Sequence, residues 1–252
     1  MIRLRRQKFP WRLDDEKLVY PAYERMVKLG VKHVCVHKGL LPAAAEKTNP
    51  GITPYGSVDD VGKAAKDWPQ LNFIIYHAGF RPFPTPSEEE QRKFEETGYM
   101  EWVSELIDIP QKFGVGNVYA DVGACFALTC VTHPRYAAGL MGLLIKGLGA
   151  DKVCWGTDSV FYGSPQWQIE AFRRMEITED MRKRFGFAPL GAADGPVKTA
   201  IFGANAARLY GLDLQKADAQ LLTGDRLATL KSQYLAAGIE RNNLAYGYVD
   251  LG

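Results

Sequence analysis

The chain has 252 residues, 46% of them hydrophobic and 24% charged, enough to bury a sizeable core and too apolar for a disordered segment. A net charge of +2 does not point to nucleic acid or to an anionic membrane, and no apolar run reaches the roughly twenty residues needed to cross a bilayer. The four cysteines, Cys35, Cys125, Cys130 and Cys154, form neither a disulfide framework nor a CxxC zinc pattern, and no apolar h-region follows the charged N-terminus; a reducing, cytoplasmic setting is the expectation.

The first elements to be expected lie beyond a basic stretch, Arg3 to Lys8, read as a solvated end. Val19, Tyr23, Met26 and Val27 recur at helical spacing and stop at Gly30, which predicts a helix over 16–29 interrupted by Pro21. A strand over 32–37 follows, then a Pro-, Ala- and Gly-rich loop from Leu40 to Ser57. Ser57 reads as the N-cap of a short helix over 59–68 closed by Pro69. The second strand is predicted over 72–77, and Pro82, Pro84 and Pro86 forbid regular structure after it. Ser87 followed by three glutamates is a helix start. A further helix over 102–113 is expected to break at Pro110. Strand 117–121, helix 136–148, strand 152–157 and helices over 167–175 and 178–185 complete the alternation. Two closing helices, 197–203 and 204–210, stop at Gly211. A C-terminal extension follows, with a helix near 225–237 that carries Leu227, Leu230, Tyr234 and Leu235 as an apolar stripe, and an aromatic tail with Tyr246 and Tyr248. The stripe is open between packing on its own chain and an intersubunit role.

Four apolar strands alternating with helices imply a parallel sheet with right-handed crossovers. Each strand ends in a polar residue: His37, His77, Asp121 and Asp158. That end is where parallel α/β folds bind ligands. Imidazole and carboxylate are donors that suit zinc and its neighbours, so His37, His77 and Asp158 are candidates to gather around a cation; a hydrogen-bonded structural histidine is the competing reading for each ring. Asp158 is a candidate to hold the metal and accept a proton from water, and His77 to polarise the substrate or shuttle a proton. His33 and His133 read as structural. Lys38 is open between binding an acidic substrate and simple solvation, and Asp121 between a pocket group and a cap. Arg81, directly after the His77 strand, is a candidate anion-binding group.

The segments CVHKGL, IIYHAGF, VCWGTDS and IFGANAARLYGL resemble the amidohydrolase-related metal enzymes (amidohydrolase 2 type) typified by aminocarboxymuconate semialdehyde decarboxylase. The resemblance runs from about Trp11 to Leu212. It implies a metal-dependent (β/α)8 TIM barrel over 1–212 with a helical extension over 213–252. His37 and Asp158 would be metal ligands, and His77 and Asp158 catalytic; the residue reading itself adds Arg81, Lys38 and Asp121 as substrate-side candidates. It also implies a divalent cation, zinc by donor chemistry. The implied reaction is hydrolysis of C–N or C–O bonds of a small carboxylic or amide substrate by a metal-activated water. The alternatives are decarboxylation of an aromatic-like acid, or a catalytically incomplete half-barrel that acts only by association. The His-x-His that the family places on its first strand is absent, and the four strands match strands five to eight of such a barrel. The chain is therefore expected to correspond to the C-terminal half, with unpaired edges at strands 32–37 and 153–158. Such edges predict a homo-oligomer or association with an N-terminal half.

Overall fold

The computed structural model describes residues 11–42, 44–216 and 226–238. The basic stretch 3–8 and the aromatic tail lie outside them. The chain forms two compact units, Met1–Asn205 and Ala206–Gly252.

The first unit is built on four parallel strands in the order β1-β2-β3-β4: His33–His37, Asn72–Tyr76, Val118–Asp121 and Val153–Cys154. The pairing is in step, His37 opposite Tyr76, Tyr76 opposite Asp121, and Asp121 opposite Cys154. Because side chains alternate along a strand, this register sorts them into two faces. Phe73, Ile75, Val118, Ala120 and Val153 enter the main buried core, with Val34 and Val36 packed against it. Cys35, Ile74, Tyr119 and Cys154 lie on the opposite face. Helices cover the first face: α1 Tyr20–Lys28, α4 Val61–Asp67, α5 Glu88–Thr97, α6 Val103–Phe113 and α8 Pro134–Leu148 each bury part of their length. Among the described residues β1 and β4 each pair with one neighbour only.

Several boundaries differ from expectation. The first helix starts only at Tyr20, which puts Pro21 in its first turn, where a missing N–H costs nothing. The loop from Leu40 to Ser57 contains two single helical turns, α2 Ala45–Thr48 and α3 Thr53–Gly56. Glu46 ties them together by accepting from the Gly51 and Thr53 amides at 2.5 and 3.0 Å. Ser57 is not the cap of α4; Asp60 holds that position, and Ser57 Oγ donates to Asp59 instead. The Ser87 expectation holds, with Glu90 returning the bond as a full capping box. Pro110 does not break α6, which runs on to Phe113 before Gly114 closes it at φ +65°. The fourth strand is two residues long rather than six. Past Cys154 the chain leaves the ladder, after the Cys154 carbonyl has accepted from the Val122 amide at 3.1 Å.

Behind β4 the chain runs through α7 Gly123–Thr129 and α8 before it, then α9 Ser159–Tyr162, α10 Gln166–Arg174 and α11 Glu179–Phe185. Phe126, Trp155, Phe172 and Phe202 form one aromatic cluster with ring centroids 4.8–5.7 Å apart. Two expected closing helices become a continuous turn of changing pitch: α12 Pro196–Thr199, a π segment Ala200–Ala204, and α13 Asn205–Tyr210. The buried Asn205 side chain donates to the Ala150 and Val153 carbonyls, both at 2.7 Å, and so pins the start of β4. Lys198, 1% exposed, donates to the Arg173 and Met175 carbonyls at the end of α10.

In the second unit, α14 Arg226–Ala236 exposes its apolar stripe, with Leu227 at 70% and Leu235 at 52%.

Candidate active site

The candidate site is assembled by backbone that leaves the strands sharply. Among the described residues five that are not glycine have positive φ: Leu40, His77, Ala78, Trp102 and Asp158. Four of these lie just beyond the C-terminal ends of β1, β2 and β4. A left-handed non-glycine residue costs on the order of 1–3 kcal/mol and persists only where packing enforces it, which is a pattern of functional sites. Such turns place His77 and Asp158 on the rim where β1 delivers His37.

His77 stands between the other two. The His37 and His77 ring centroids are 5.0 Å apart, and His77 Nδ1 is 3.8 Å from Asp158 Oδ2. Burial lowers the pKa of His77 to about 4; Asp158 opposes that fall and His37 adds to it. Partial burial also holds His37 below the usual imidazole range, against the pull of Asp158. Asp121 ends the neighbouring strand. Burial, and then Asp158, raise its carboxyl to about 7, with the Gly123 amide opposing.

Two glycines make room for this cluster. A Cβ on Gly156 would run into the Asp121 carboxylate, and one on Gly123 would stand 2.7 Å from His77 Nδ1 and 3.1 Å from Asp121 Oδ1. The Ala124 amide donates to His77 Nδ1 at 3.1 Å. Neither glycine, nor Ala124, stands out in the sequence as a site residue; the only signal is Gly123 two positions after a strand-end aspartate.

Lys38 is not where either expectation put it. It is 1% exposed, so it is not solvated, and its ammonium donates to Asp60 Oδ2 at 2.7 Å and to the Tyr55 carbonyl at 3.1 Å. Asp60 Oδ2 in turn accepts from the Leu13 amide at 2.8 Å. Burial lowers the Lys38 pKa and Asp60 opposes this. The residue therefore ties together three chain segments instead of facing a substrate. Arg81 donates to the Leu41 carbonyl at 2.7 Å and stacks over the Trp102 ring at 5.2 Å, with Glu101 at 3.9 Å. His33 lies at the other end of β1, its Nδ1 3.3 Å from the Asn72 side chain, and His133 pairs with Thr132.

The donors at the rim are of the right chemistry for a borderline divalent cation. Their number falls short: among the described residues no three His, Cys, Asp or Glu side chains lie close enough to hold one ion.

A parallel α/β sheet with imidazoles and carboxylates at its strand ends presents them where folds of this class bind ligands. More narrowly, residues 1–212 match the family described as amidohydrolase, and the chain belongs to that family. Among curated proteins no relative matches it. Among solved structures it is similar to an amidohydrolase from Burkholderia multivorans with bound zinc, at 14% identity and a TM-score of 0.48, covering 81% of this chain and 64% of that one. It is similar also to 2,6-dihydroxybenzoate decarboxylase from Rhizobium (16%, TM-score 0.44, 82% and 58% covered). A third is 5-carboxyvanillate decarboxylase from Sphingomonas paucimobilis (16%, TM-score 0.42, 81% and 56% covered). The chain thus spans less than two thirds of the length of these proteins, and likeness at this level decides nothing about the reaction.

Proposed function

We propose that the four strands correspond to strands five to eight of a metal-dependent (β/α)8 barrel, and that the chain takes part in hydrolysing a C–N or C–O bond of a small carboxylic or amide substrate. The observation that supports this reading is His77 standing beside both His37 and Asp158 at one rim, with His77 and Asp158 on backbone held in left-handed turns. His37 and Asp158 are the two donors for a divalent cation, with zinc the best match to an imidazole–carboxylate set. The remaining donors would come from outside the described residues. Such an ion, when bound, acidifies a water or polarises a carbonyl.

The chain's own groups divide the rest of the work. Asp158, one-third exposed at the rim, is the carboxylate placed to take a proton. His77, uncharged near neutral pH because burial depresses its pKa, polarises a substrate oxygen through a ring N–H. Asp121 stays partly protonated near neutrality and can share the rim with Asp158 without placing two full charges side by side. Arg81 braces the loop after β1 through Leu41, and an anionic substrate would compete with Glu101 for its charge.

Elemental analysis of the purified chain, set against a His37→Ala variant, tests the metal assignment. A divalent cation present in the parent and lost in the variant is the expected result, and equal content in both overturns it. Incubation with amides on one side and aromatic acids on the other, reading released amine or released carbon dioxide, separates hydrolysis from decarboxylation.

A further inference from the structure

We propose that the Gly123–Ala124 turn is a positioning element that fixes His77 in the tautomer with its proton on Nε2, so that the ring meets the substrate as a hydrogen-bond donor. The inference rests on the reading of His77 as a member of the reacting site.

Two neighbours compete for one ring nitrogen. The Ala124 amide lies 3.1 Å from Nδ1 with hydrogen-bond geometry, and Asp158 Oδ2 lies 3.8 Å from the same atom. An amide N–H can only donate, so Nδ1 must present its lone pair to it. A separation of 3.8 Å is beyond hydrogen-bond range. Beside a carboxylate, an imidazole ordinarily turns an Nδ1–H toward the acid and keeps Nε2 as the basic nitrogen. Here the backbone has taken the place of that arrangement and reverses it. His77 is 4% exposed and Ala124 1% exposed, so if the bond were broken neither group would be well placed to turn to solvent instead.

Gly123 is what lets the backbone come so close. Its φ is +33°, and any side chain there would press on Nδ1 and on the Asp121 carboxylate at once. The chemical consequence is a division of labour. With Nδ1 engaged and Nε2 carrying hydrogen, His77 offers no free lone pair, so it stabilises negative charge developing on a substrate oxygen and leaves proton abstraction to Asp158.

Long-range proton–nitrogen correlation spectra of the 15N-labelled full chain at neutral pH read the tautomer, with His77 assigned by the signals lost in His77→Gln. Hydrogen on Nε2 and a bare, hydrogen-bonded Nδ1 are expected; a hydrogen on Nδ1 overturns the proposal. Gly123→Ala should disturb that pattern, and a folded variant with the parent pattern would overturn the positioning role. Where Gly123→Ala fails to fold, amide exchange at Ala124 decides. Exchange should remain slow in His77→Asn, whose Oδ1 replaces Nδ1 as acceptor, and accelerate in His77→Ala. Equal rates in the two overturn the hydrogen bond. None of these readings depends on turnover or bound metal, so the proposed function can fail while this inference stands, and the reverse.

Discussion

Replacing Lys38 by methionine is the sharpest test of the tether beneath the site. Lys38 and Asp60 are 1% and 0% exposed at their side chains and 2.7 Å apart. Without the ammonium, the Asp60 carboxylate keeps only the Leu13 amide on Oδ2, while Oδ1 already has no partner. The Tyr55 carbonyl loses a donor as well. Breaking a buried pair from one side leaves an uncompensated charge and costs about 3–5 kcal/mol. Urea unfolding followed by tryptophan fluorescence should show a loss of this size in Lys38→Met. Adding Asp60→Asn, which keeps an acceptor for Leu13 and removes the charge, should restore most of it. A Lys38→Met variant within about 1 kcal/mol of the parent would refute the tether. If that variant also failed to turn over substrate, Lys38 would return to the substrate side of the site.

Asp121 carries a pH prediction. Its carboxyl titrates near 7 in the fold because burial, helped by Asp158, disfavours the charged form. A raised folded pKa means its stabilising contribution is complete below about pH 4 and is lost as pH rises through 7. Asp121→Asn should flatten that fall in the metal-free protein and, above pH 7, exceed the parent's stability by about 2–4 kcal/mol; parallel stability–pH curves for the two proteins would refute this. Asn205→Ala strips the Ala150 and Val153 carbonyls of a donor and should lower stability by about 1–3 kcal/mol, with β4 amides exchanging faster; an unchanged melting curve would count against the pin. The open edges of β1 and β4 predict self-association, or pairing with a separately supplied N-terminal half; sedimentation that shows a monomer at every concentration, with no pairing, speaks against both.

The sheet was legible because its cause is local. Runs such as Phe73–Tyr76 are apolar on both faces, and only a buried parallel strand needs that. His37, His77 and Asp158 were legible for a related reason: a polar residue that ends such a run has nowhere to go but the rim. The fourth strand was overread, since Trp155 to Thr157 continue the apolar pattern while their backbone leaves the ladder to follow the turn at Asp158. Pro110 was overread as a breaker: it forfeits its own bond to the preceding turn and its ring crowds the Leu106 carbonyl, yet the helix runs on to Phe113. Lys38 was misjudged for want of its partner, which lies 22 positions away on another element. No composition rule identifies which lysine will be buried. The role of the Ala124 amide is invisible in sequence, since every residue but proline has the same N–H.

The strand order has a mechanical corollary. β1 and β4 share no ladder, so the distance from His37 to Asp158 is set by the two strands between them. How far those outermost groups stand from one another depends on how strongly β2 and β3 bend. That bend is set where Phe73, Ile75, Val118 and Ala120 press on the helices. Enlarging Ala120 by one or two methyl groups, on the face of the sheet away from His37 and Asp121, would act like a wedge under a hinge and change how far His37 stands from Asp158. Core residues remote from the rim thereby become calibrators of the reach across it.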